Sequence, residues 1–313
     1  MAERTRAIGG SGDGASLAEQ IDGLVTESRC EMVRSFGGDL DDLQLSALAK
    51  MTAAQAEKEI RTRARAVYLG DRLTLARVLG QSKMLLPTTD VGFASHLMLD
   101  GFWEIWLTLF FARLVMPGMT VVDVGANFGY YTLLFGHAVG PSGHVIAIEP
   151  APSTAAILAR TIELNGLMGR TRIVAAAAWD RPDIEVHMLV RPEEPKNAAV
   201  IGQPQPGSIA VPTTTVDALT RELARLDLVK IDAEGAEVAI IVGMRETVAR
   251  FKPKILLEFN AARYEDPSGF LANITEKYRC FRALNFDGEL DTVTPEAILT
   301  TRYGEDWLLF FEA

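Results

Sequence analysis

The sequence predicts an α/β protein: an open, doubly wound, mostly parallel sheet of seven strands, preceded by a mainly helical N-terminal region that carries a β-hairpin. Two observations carry this expectation. From Thr120 onward, short apolar β-like runs alternate with helical segments, the pattern of parallel strands joined by right-handed crossovers. The first of those runs, Thr120-Val121-Val122-Asp123-Val124, empties into a glycine-rich turn that opens a helix, and such sheets hold ligands at the carboxyl ends of their strands.

Taken in order, residues 1–16 are charged and Gly-rich and read as a flexible tail. From Leu17 to about Tyr68 the pattern is helical, with Leu40, Leu43, Leu45 and Leu48 at helical spacing. Leu73–Leu79 and Lys83–Pro87 flank Gly80-Gln81-Ser82 and read as a hairpin. These elements make up an N-terminal region over 17–100, and the α/β domain follows at 101–313. Within it, Phe102–Val115 is an amphipathic helix that stops before Pro117-Gly118. The second strand is His144–Glu149, followed by a helix over Pro152–Asn165 whose proline suits a first turn. Arg172–Ala177 is the third strand. Residues 182–212 carry six prolines and read as an insertion before a helix over Val216–Leu226. Strands at Leu226–Ile231 and Ile255–Phe259 bracket helical character over Glu237–Arg250. Phe281–Phe286 and Trp307–Phe311 close the sheet as an antiparallel pair.

Composition narrows the function. The 313 residues carry a formal charge of -10, and their scattered basic residues do not supply the clustered Lys and Arg that grip a phosphate backbone, so no nucleic-acid partner is expected. Cys30 and Cys280 stand alone, without metal-ligand spacing, which fits a reducing, cytoplasmic compartment. Met1 to Gly14 has no apolar signal region. The apolar stretch around Ile105–Met116 is interrupted by Arg113 and is too short to insert across a bilayer.

The sharpest signal is Asp123-Val124-Gly125-Ala126-Asn127-Phe128-Gly129-Tyr130-Tyr131-Thr132. Gly125 and Gly129 offer bare main chain to a bound molecule, and the helix that follows begins with free N–H groups. Glu149 ends the second strand, where an acid accepts hydrogen bonds from ribose hydroxyls. A dinucleotide site wants Gly-x-Gly-x-x-Gly so that pyrophosphate can rest on the helix. Here Asn127 stands where that close approach would be needed. S-adenosylmethionine has no phosphate, and its amino-acid end needs polar partners such as Asp123, Asn127 and Thr132. The methyl donor is therefore favoured over a nicotinamide cofactor, and a nicotinamide-dependent oxidoreductase is the alternative.

The motifs Asp123-Val-Gly-Ala-Asn-Phe-Gly-Tyr-Tyr-Thr, Ala147-Ile-Glu149-Pro150, Glu163-Leu-Asn165-Gly, Ile231-Asp232-Ala-Glu234-Gly235-Ala-Glu237 and Leu256-Leu-Glu258-Phe-Asn260 resemble those of the FkbM family of methyltransferases, over roughly residues 100–285. Asp100-Gly101-Phe102-Trp103-Glu104 resembles an element just before the catalytic domain in many members. The resemblance implies a class I methyltransferase fold, which is Rossmann-like, with S-adenosylmethionine as donor and O-methylation of a hydroxyl on a sugar, glycolipid or secondary metabolite. It also sets Ala177 beside the adenine. Ala175 departs from the Asn that relatives often carry before the Ala176-Ala177 pair.

Lys230 and Asp232 alternate onto one side of their strand, and Asp123 or Asp232 is expected to pair the lysine. Asp232 should lie against the methionine half of the donor or against the acceptor, with Glu234 near the cleft. Glu237 reads better as the charged start of a helix. Glu258 and Asn260 face one side and either orient an acceptor hydroxyl or pack against a loop. Trp103 and Trp106 read as core; of Tyr130 and Tyr131, one is expected to touch the cofactor and the other to pack. A hydroxyl acceptor needs a positioned base; the candidates, in order, are Asp232, Glu234, Glu258 and His96, the last as a residue covering the acceptor site. No metal is assigned. The expected partner is a small-molecule or glycan acceptor, and the helical extension offers a surface for a homodimer. A nonenzymatic assembly role for that extension and a nucleic-acid base methyltransferase were weighed against this; for the latter, the Asp/Asn-Pro-Pro-aromatic tetrapeptide is absent.

Overall fold

The structure, a computed structural model, describes residues 41–189, 199–200, 204–278 and 280–313. The expected tail, the helical pattern up to Leu40, Cys30 and part of the Pro-rich insertion lie outside the described residues.

Short helix α1 (Leu45–Leu48) and α2 (Ala53–Arg63) lead into a three-stranded antiparallel sheet of β1 (Arg65–Gly70), β2 (Leu73–Val78) and β3 (Ser82–Pro87). The helix α2 starts with a capping box between Thr52 and Gln55, which satisfies two amides that a helix start leaves unpaired. Here the helical reading up to Tyr68 is corrected. After Arg63 the backbone turns extended at Ala64, and Val67 and Tyr68, of strand-favouring types, pair with Leu75 and Thr74. The hairpin is therefore one half of a three-stranded meander. Its edge strand β3 is held by helix α6 (Pro152–Leu164) and the residue after it. The Lys83 amide donates to Asn165 Oδ1 at 2.9 Å, Asn165 Nδ2 donates to the Lys83 carbonyl at 2.6 Å, and the Leu85 amide donates to Thr161 Oγ1 at 3.1 Å. Asn165, prominent in the sequence, thus ties the meander to the α/β unit and pairs an edge that would otherwise be open.

Helices α3 (Phe93–Asp100) and α4 (Ile105–Leu114) precede β4 (Thr120–Val124), α5 (Tyr130–Ala138), β5 (His144–Ile148), α6 and β6 (Thr171–Val174). After β7 (Ala177–Ala178), β8 (Glu185–Leu189), β9 (Ala199–Val200) and β10 (Ser208–Thr214) come α7 (Val216–Thr220), β11 (Leu228–Ile231), α8 (Glu237–Val242), α9 (Arg245–Phe251) and β12 (Lys254–Phe259). The chain ends through α10 (Pro267–Thr275), β13 (Cys280–Leu284), β14 (Leu290–Thr292), α11 (Pro295–Thr300) and β15 (Trp307–Glu312).

The main sheet runs β14-β13-β15-β12-β11-β4-β5-β6. It is parallel from β12 to β6 and antiparallel at β15, β13 and β14. The class I, doubly wound fold is as the sequence predicts, but the sheet has eight strands rather than seven. The addition is β14, folded back on β13 through a turn in which the Asn285 amide donates to the Glu289 carbonyl. All five residues of β4 are buried, as expected for a parallel strand covered on both faces. Val122, Val124, Ile146, Ile148, Val229, Ile231, Ile255 and Leu257 form one apolar face, each contributing roughly 1.5–3 kcal/mol by burial.

Three boundaries differ from the sequence reading. The third strand stops at Val174, and the chain rejoins a second sheet, β7-β10-β8-β9, through Ala177 and Ala178. That sheet is the core of the Pro-rich insertion, where Val186, Met188 and Val211 bury against Ala151 and Ala177. Helix α7 ends at Thr220, well short of Leu226. The helix expected over Glu237–Arg250 is split at Gly243-Met244, where Gly243 packs so tightly that a β-carbon would lie 2.0 Å from the Trp179 carbonyl oxygen. Among the described residues, no helix is long and apolar enough to cross a membrane.

Candidate active site

A cleft of about 430 Å³ lies along the carboxyl ends of the parallel strands, within the usual size of a small-molecule site. Strand order fixes its layout. From one edge inward come Ala177 and Ala178 on β7, Glu149 just past β5, Gly125 to Asn127 after β4, Asp232 after β11 and Glu258 near the end of β12. Met188 and Ile240 also line it, as do Phe93, Trp103, Glu104, Tyr130 and Tyr131.

The glycine-rich turn has the predicted place but partly different work. The Gly125 and Ala126 amides both donate to the Ile148 carbonyl at 3.0 Å, stitching the turn to β5. Gly125 has φ +74, and a β-carbon there would lie 1.8 Å from the Asp232 carbonyl oxygen. At Gly129, φ +99, it would lie 2.4 Å from Leu158 Cδ1. Gly125 borders the cleft, whereas Gly129 packs against α6 and does not line it. Asn127 takes a left-handed conformation, φ 51, which Asn tolerates better than most residues. Its side-chain Oδ1 accepts from the Phe128 amide at 2.8 Å, a bond within the turn that precedes the helix.

Asp123 and Thr132 sit behind the cleft wall and not on it. Thr132 Oγ1 donates to Asp123 Oδ2 at 2.7 Å, and Asp123 Oδ1 is 3.4 Å from Lys230 Nζ. Both are buried. They brace the first strand against the helix and the lysine, in place of the direct contact with a ligand's amino-acid end that the sequence suggested.

Glu149 is held by two backbone amides, Asn127 to Oε2 and Ala151 to Oε1, each at 2.9 Å. Burial pushes its carboxyl up to about 7, although those two amides pull it back. A carboxylate offers about four acceptor positions, so it retains capacity for two hydroxyl donors from the cleft side.

The far end of the cleft is an ion network. Lys230 is buried, with Asp123 at 3.4 Å and Asp232 at 3.5 Å, so both expected partners are present. Burial opposes its charge, but Asp232, Asp123 and Glu258 together raise its pKa. Sequence reading missed Arg263. This residue ends a 3₁₀ turn (Ala261–Arg263) after β12 and bonds Glu258 at 2.9 Å, Glu234 at 3.1 Å and Asp306 at 3.1 Å. Burial, with Asp232 and Asp306 nearby, pushes Glu258 well above the usual carboxylate range against the pull of Arg263. Burial likewise raises Glu234. Oxygens of Asp232, Glu234 and Glu258 lie within 4.8 Å of one another, and the guanidinium of Arg263 already supplies positive charge to the two glutamates.

The remaining expectations sort by partner. Glu237 starts α8, is fully buried, and accepts from the Ala233 and Gly235 amides and from Tyr264 Oη at 3.0 Å, a structural role. Asn260 caps the 3₁₀ turn and donates to the Gly304 carbonyl and to Asp306, so it packs a loop. His96 does not line the cleft; its Nδ1 pairs with Asp100 at 2.9 Å. Trp106 stacks edge-on with Phe286, but Trp103 lines the cleft, as do both Tyr130 and Tyr131. Glu104 was also missed: it accepts from Tyr131 Oη at 2.9 Å.

Comparison with known proteins adds three findings. Residues 123–290, more than half of the chain, match the model of the Methyltransferase FkbM domain. A curated relative, "Methyltransferase 1" of Beauveria bassiana (strain ARSEF 2860), is 25% identical over 40% of this chain and 57% of its own length. Among solved structures, Methyltransferase FkbM from Methylobacillus flagellatus KT is 17% identical, covering 69% of this chain and 52% of that one, with a TM-score of 0.43. A methyltransferase from Geobacter sulfurreducens is 17% identical over 67% of this chain and 79% of that one, with a TM-score of 0.36. The chain thus spans a little over half the length of the first two.

Proposed function

The chain belongs to the FkbM methyltransferase family, and on that premise we propose that it moves a methyl group from S-adenosylmethionine to a hydroxyl of a small-molecule or glycan acceptor. The observation that carries the donor reading is Glu149, a buried carboxyl pinned beside the Gly125–Asn127 turn with its remaining acceptor positions available to the cleft. The residues present fit such a donor. Ala177, Ala178, Met188 and Ile240 give an apolar wall for adenine on the β6 side of Glu149. Strand order then directs the rest of the donor past Gly125 toward Asp232. The Asn127 side chain occupies the Phe128 amide, which supports this choice over a pyrophosphate-bearing cofactor that would want the amides of this turn.

The donor supplies an already activated methyl group, so the protein's work is positioning and proton removal. Glu149 and the apolar wall hold the donor; the aromatic side chains of Phe93, Trp103, Tyr130 and Tyr131 exclude water from the middle of the cleft. Asp232 is the preferred base. It borders both halves of the cleft, and Lys230 at 3.5 Å steadies its charge. Glu258 and Glu234 are less suited, since burial favours their protonated forms; they and Arg263 orient the acceptor hydroxyl.

Calorimetric titration with S-adenosylmethionine, followed by a methyl-transfer screen over hydroxylated metabolites and glycans, tests the proposal. Binding of NAD in preference to S-adenosylmethionine would reverse it, and transfer to amines alone would remove the hydroxyl acceptor. A cytoplasmic location and a homodimer through the N-terminal region belong to the same proposal; size-exclusion chromatography with light scattering on the full chain tests the latter, and a monomer would overturn it.

A further inference from the structure

We propose that Glu104, oriented by Tyr131, receives the α-ammonium group of the donor; this deepens the S-adenosylmethionine reading and rests on it. A primary ammonium in a partly buried cleft needs a carboxylate or comparable acceptor, because an unpaired charge there is costly. The sequence nominates Asp123 and Thr132 for that task, yet those two bond each other and Lys230 behind the wall. Of the acids that do line the cleft, Glu149 stands at the ribose position. Asp232, Glu234, Glu258 and Asp306 stand at the acceptor end with Lys230 and Arg263. Glu104 is the lining carboxylate tied to the first turn of α5, the helix that the Gly125–Asn127 turn opens.

Its backbone is a second, independent sign. Glu104 immediately precedes α4 at φ 38, ψ 72, in the left-handed region. A glutamate holds that conformation only where its surroundings impose it, and such positions cluster at ligand clamps. Tyr131 Oη donates to Glu104 Oε2 at 2.9 Å. Burial and the neighbouring Glu104 charge raise the phenol well above its usual pKa, so it stays a donor and fixes the carboxylate's direction. The Tyr131 ring also faces Lys230 Nζ at 5.4 Å, placing one ring between an anion and a cation. A carboxylate offers about four acceptor positions, so an ammonium can join the contacts that Glu104 already makes, the Tyr131 phenol among them.

The test compares two adenosyl compounds: S-adenosylhomocysteine, which carries the α-ammonium, and 5′-methylthioadenosine, which lacks the whole amino-acid end. Calorimetry on the full chain should show E104Q weakening S-adenosylhomocysteine by about 10–100-fold while 5′-methylthioadenosine changes less than about twofold. Y131F, which keeps the carboxylate but removes the phenol that orients it, should give a smaller loss with the same selectivity. It carries the test should E104Q not fold. Equal losses for both compounds would mark a structural role and overturn the assignment, as would an unchanged affinity for S-adenosylhomocysteine in E104Q. Wild-type protein that binds neither compound would instead overturn the donor reading itself.

Discussion

The Asp232 carbonyl oxygen sits so close to Gly125 that a β-carbon there would come within 1.8 Å of it. The turn after β4 and the turn after β11 are thus in main-chain contact, and the cofactor loop and the proposed base move as one unit. Gly125→Ala meets both this contact and a φ of +74. The expected cost is on the order of 2–3 kcal/mol, with loss of S-adenosylhomocysteine binding. Urea unfolding and calorimetry check it; unchanged affinity would separate the loop from the donor site.

Asp232→Asn leaves that main-chain contact in place and removes the proton acceptor, together with one of the two carboxylates beside buried Lys230. Turnover should fall by about 10²–10⁴-fold, with S-adenosylhomocysteine affinity within a few-fold of wild type and a modestly lowered unfolding midpoint. Near-normal turnover would take Asp232 out of the chemistry and pass the role to another group.

Glu149 makes a prediction about pH. Burial raises its folded-state pKa from 4.5 to about 7, so the folded protein holds a proton that the unfolded chain releases. Its contribution to stability is fully present below pH 4.5 and is lost as pH rises through about 7. At 1.36 kcal/mol per unit, that is about 3 kcal/mol at most. Stability measured from pH 4.5 to 8 should therefore fall more steeply in wild type than in Glu149→Gln. Parallel curves would mean that the carboxyl titrates normally in the folded protein. The same variant should weaken S-adenosylhomocysteine by about tenfold or more, since two ribose hydroxyls lose a charged acceptor.

Much of this was legible in the sequence because it is local. Strands β4, β5, β11 and β12 are short runs dominated by apolar residues, and the Gly125 turn with Glu149 at the next strand end is the local signal on which the proposed donor site rests. Asp123 and Thr132 are expected from the sequence to meet the donor's amino-acid end, but nine residues of separation cannot say whether a polar pair faces a ligand or each other; here they bond each other behind the cleft wall. Val67 and Tyr68 were read into a helix because the charged pattern of α2 runs directly into them, and only their pairing with β2 decides the matter. Arg263 and Asp306 carry no sequence signal, and Glu104 stands in the family-like Asp100–Glu104 element without a role that the sequence assigns. Each lies outside the strands and α-helices, and tertiary folding, not any spacing, brings them to the cleft. The left-handed backbone at Glu104 has no sequence signal at all.

Arg263 should prove a structural organiser of the acceptor end. Arg263→Met keeps bulk but removes the charge that faces Glu234, Glu258 and Asp306. The arginine side chain is 24% exposed, so the loss is screened, and roughly 1–3 kcal/mol is expected. Removing a cation leaves like charges together, so the loss should grow as pH rises toward 9 and Glu258, which burial pushes up to about 9, ionises. Chemical denaturation from pH 6 to 9 checks the sign; a loss that did not change with pH would mean that Glu258 keeps one charge state across the range.

Charge at the cleft also bears on which acceptors can enter. Glu104, Glu149, Asp232, Glu234, Glu258 and Asp306 line it, against Lys230 and Arg263. Even with Glu149 and Glu258 partly protonated, the balance is negative, and the chain as a whole carries -10. Both cations are already bonded to carboxylates, so an incoming phosphate or carboxylate would have to displace one. Two like charges about 4 Å apart repel by about 4 kcal/mol at an effective dielectric of 20, enough to outweigh several neutral hydrogen bonds. Neutral polyhydroxyl acceptors should therefore exceed their phosphorylated or carboxylated counterparts in kcat/KM by at least about tenfold. The gap should narrow at high salt, where partly exposed charges are screened. A matched pair of acceptors, assayed at 0.05 and 0.5 M salt, measures both effects. A preference for the anionic member would mean that Arg263 exchanges its partners for the substrate.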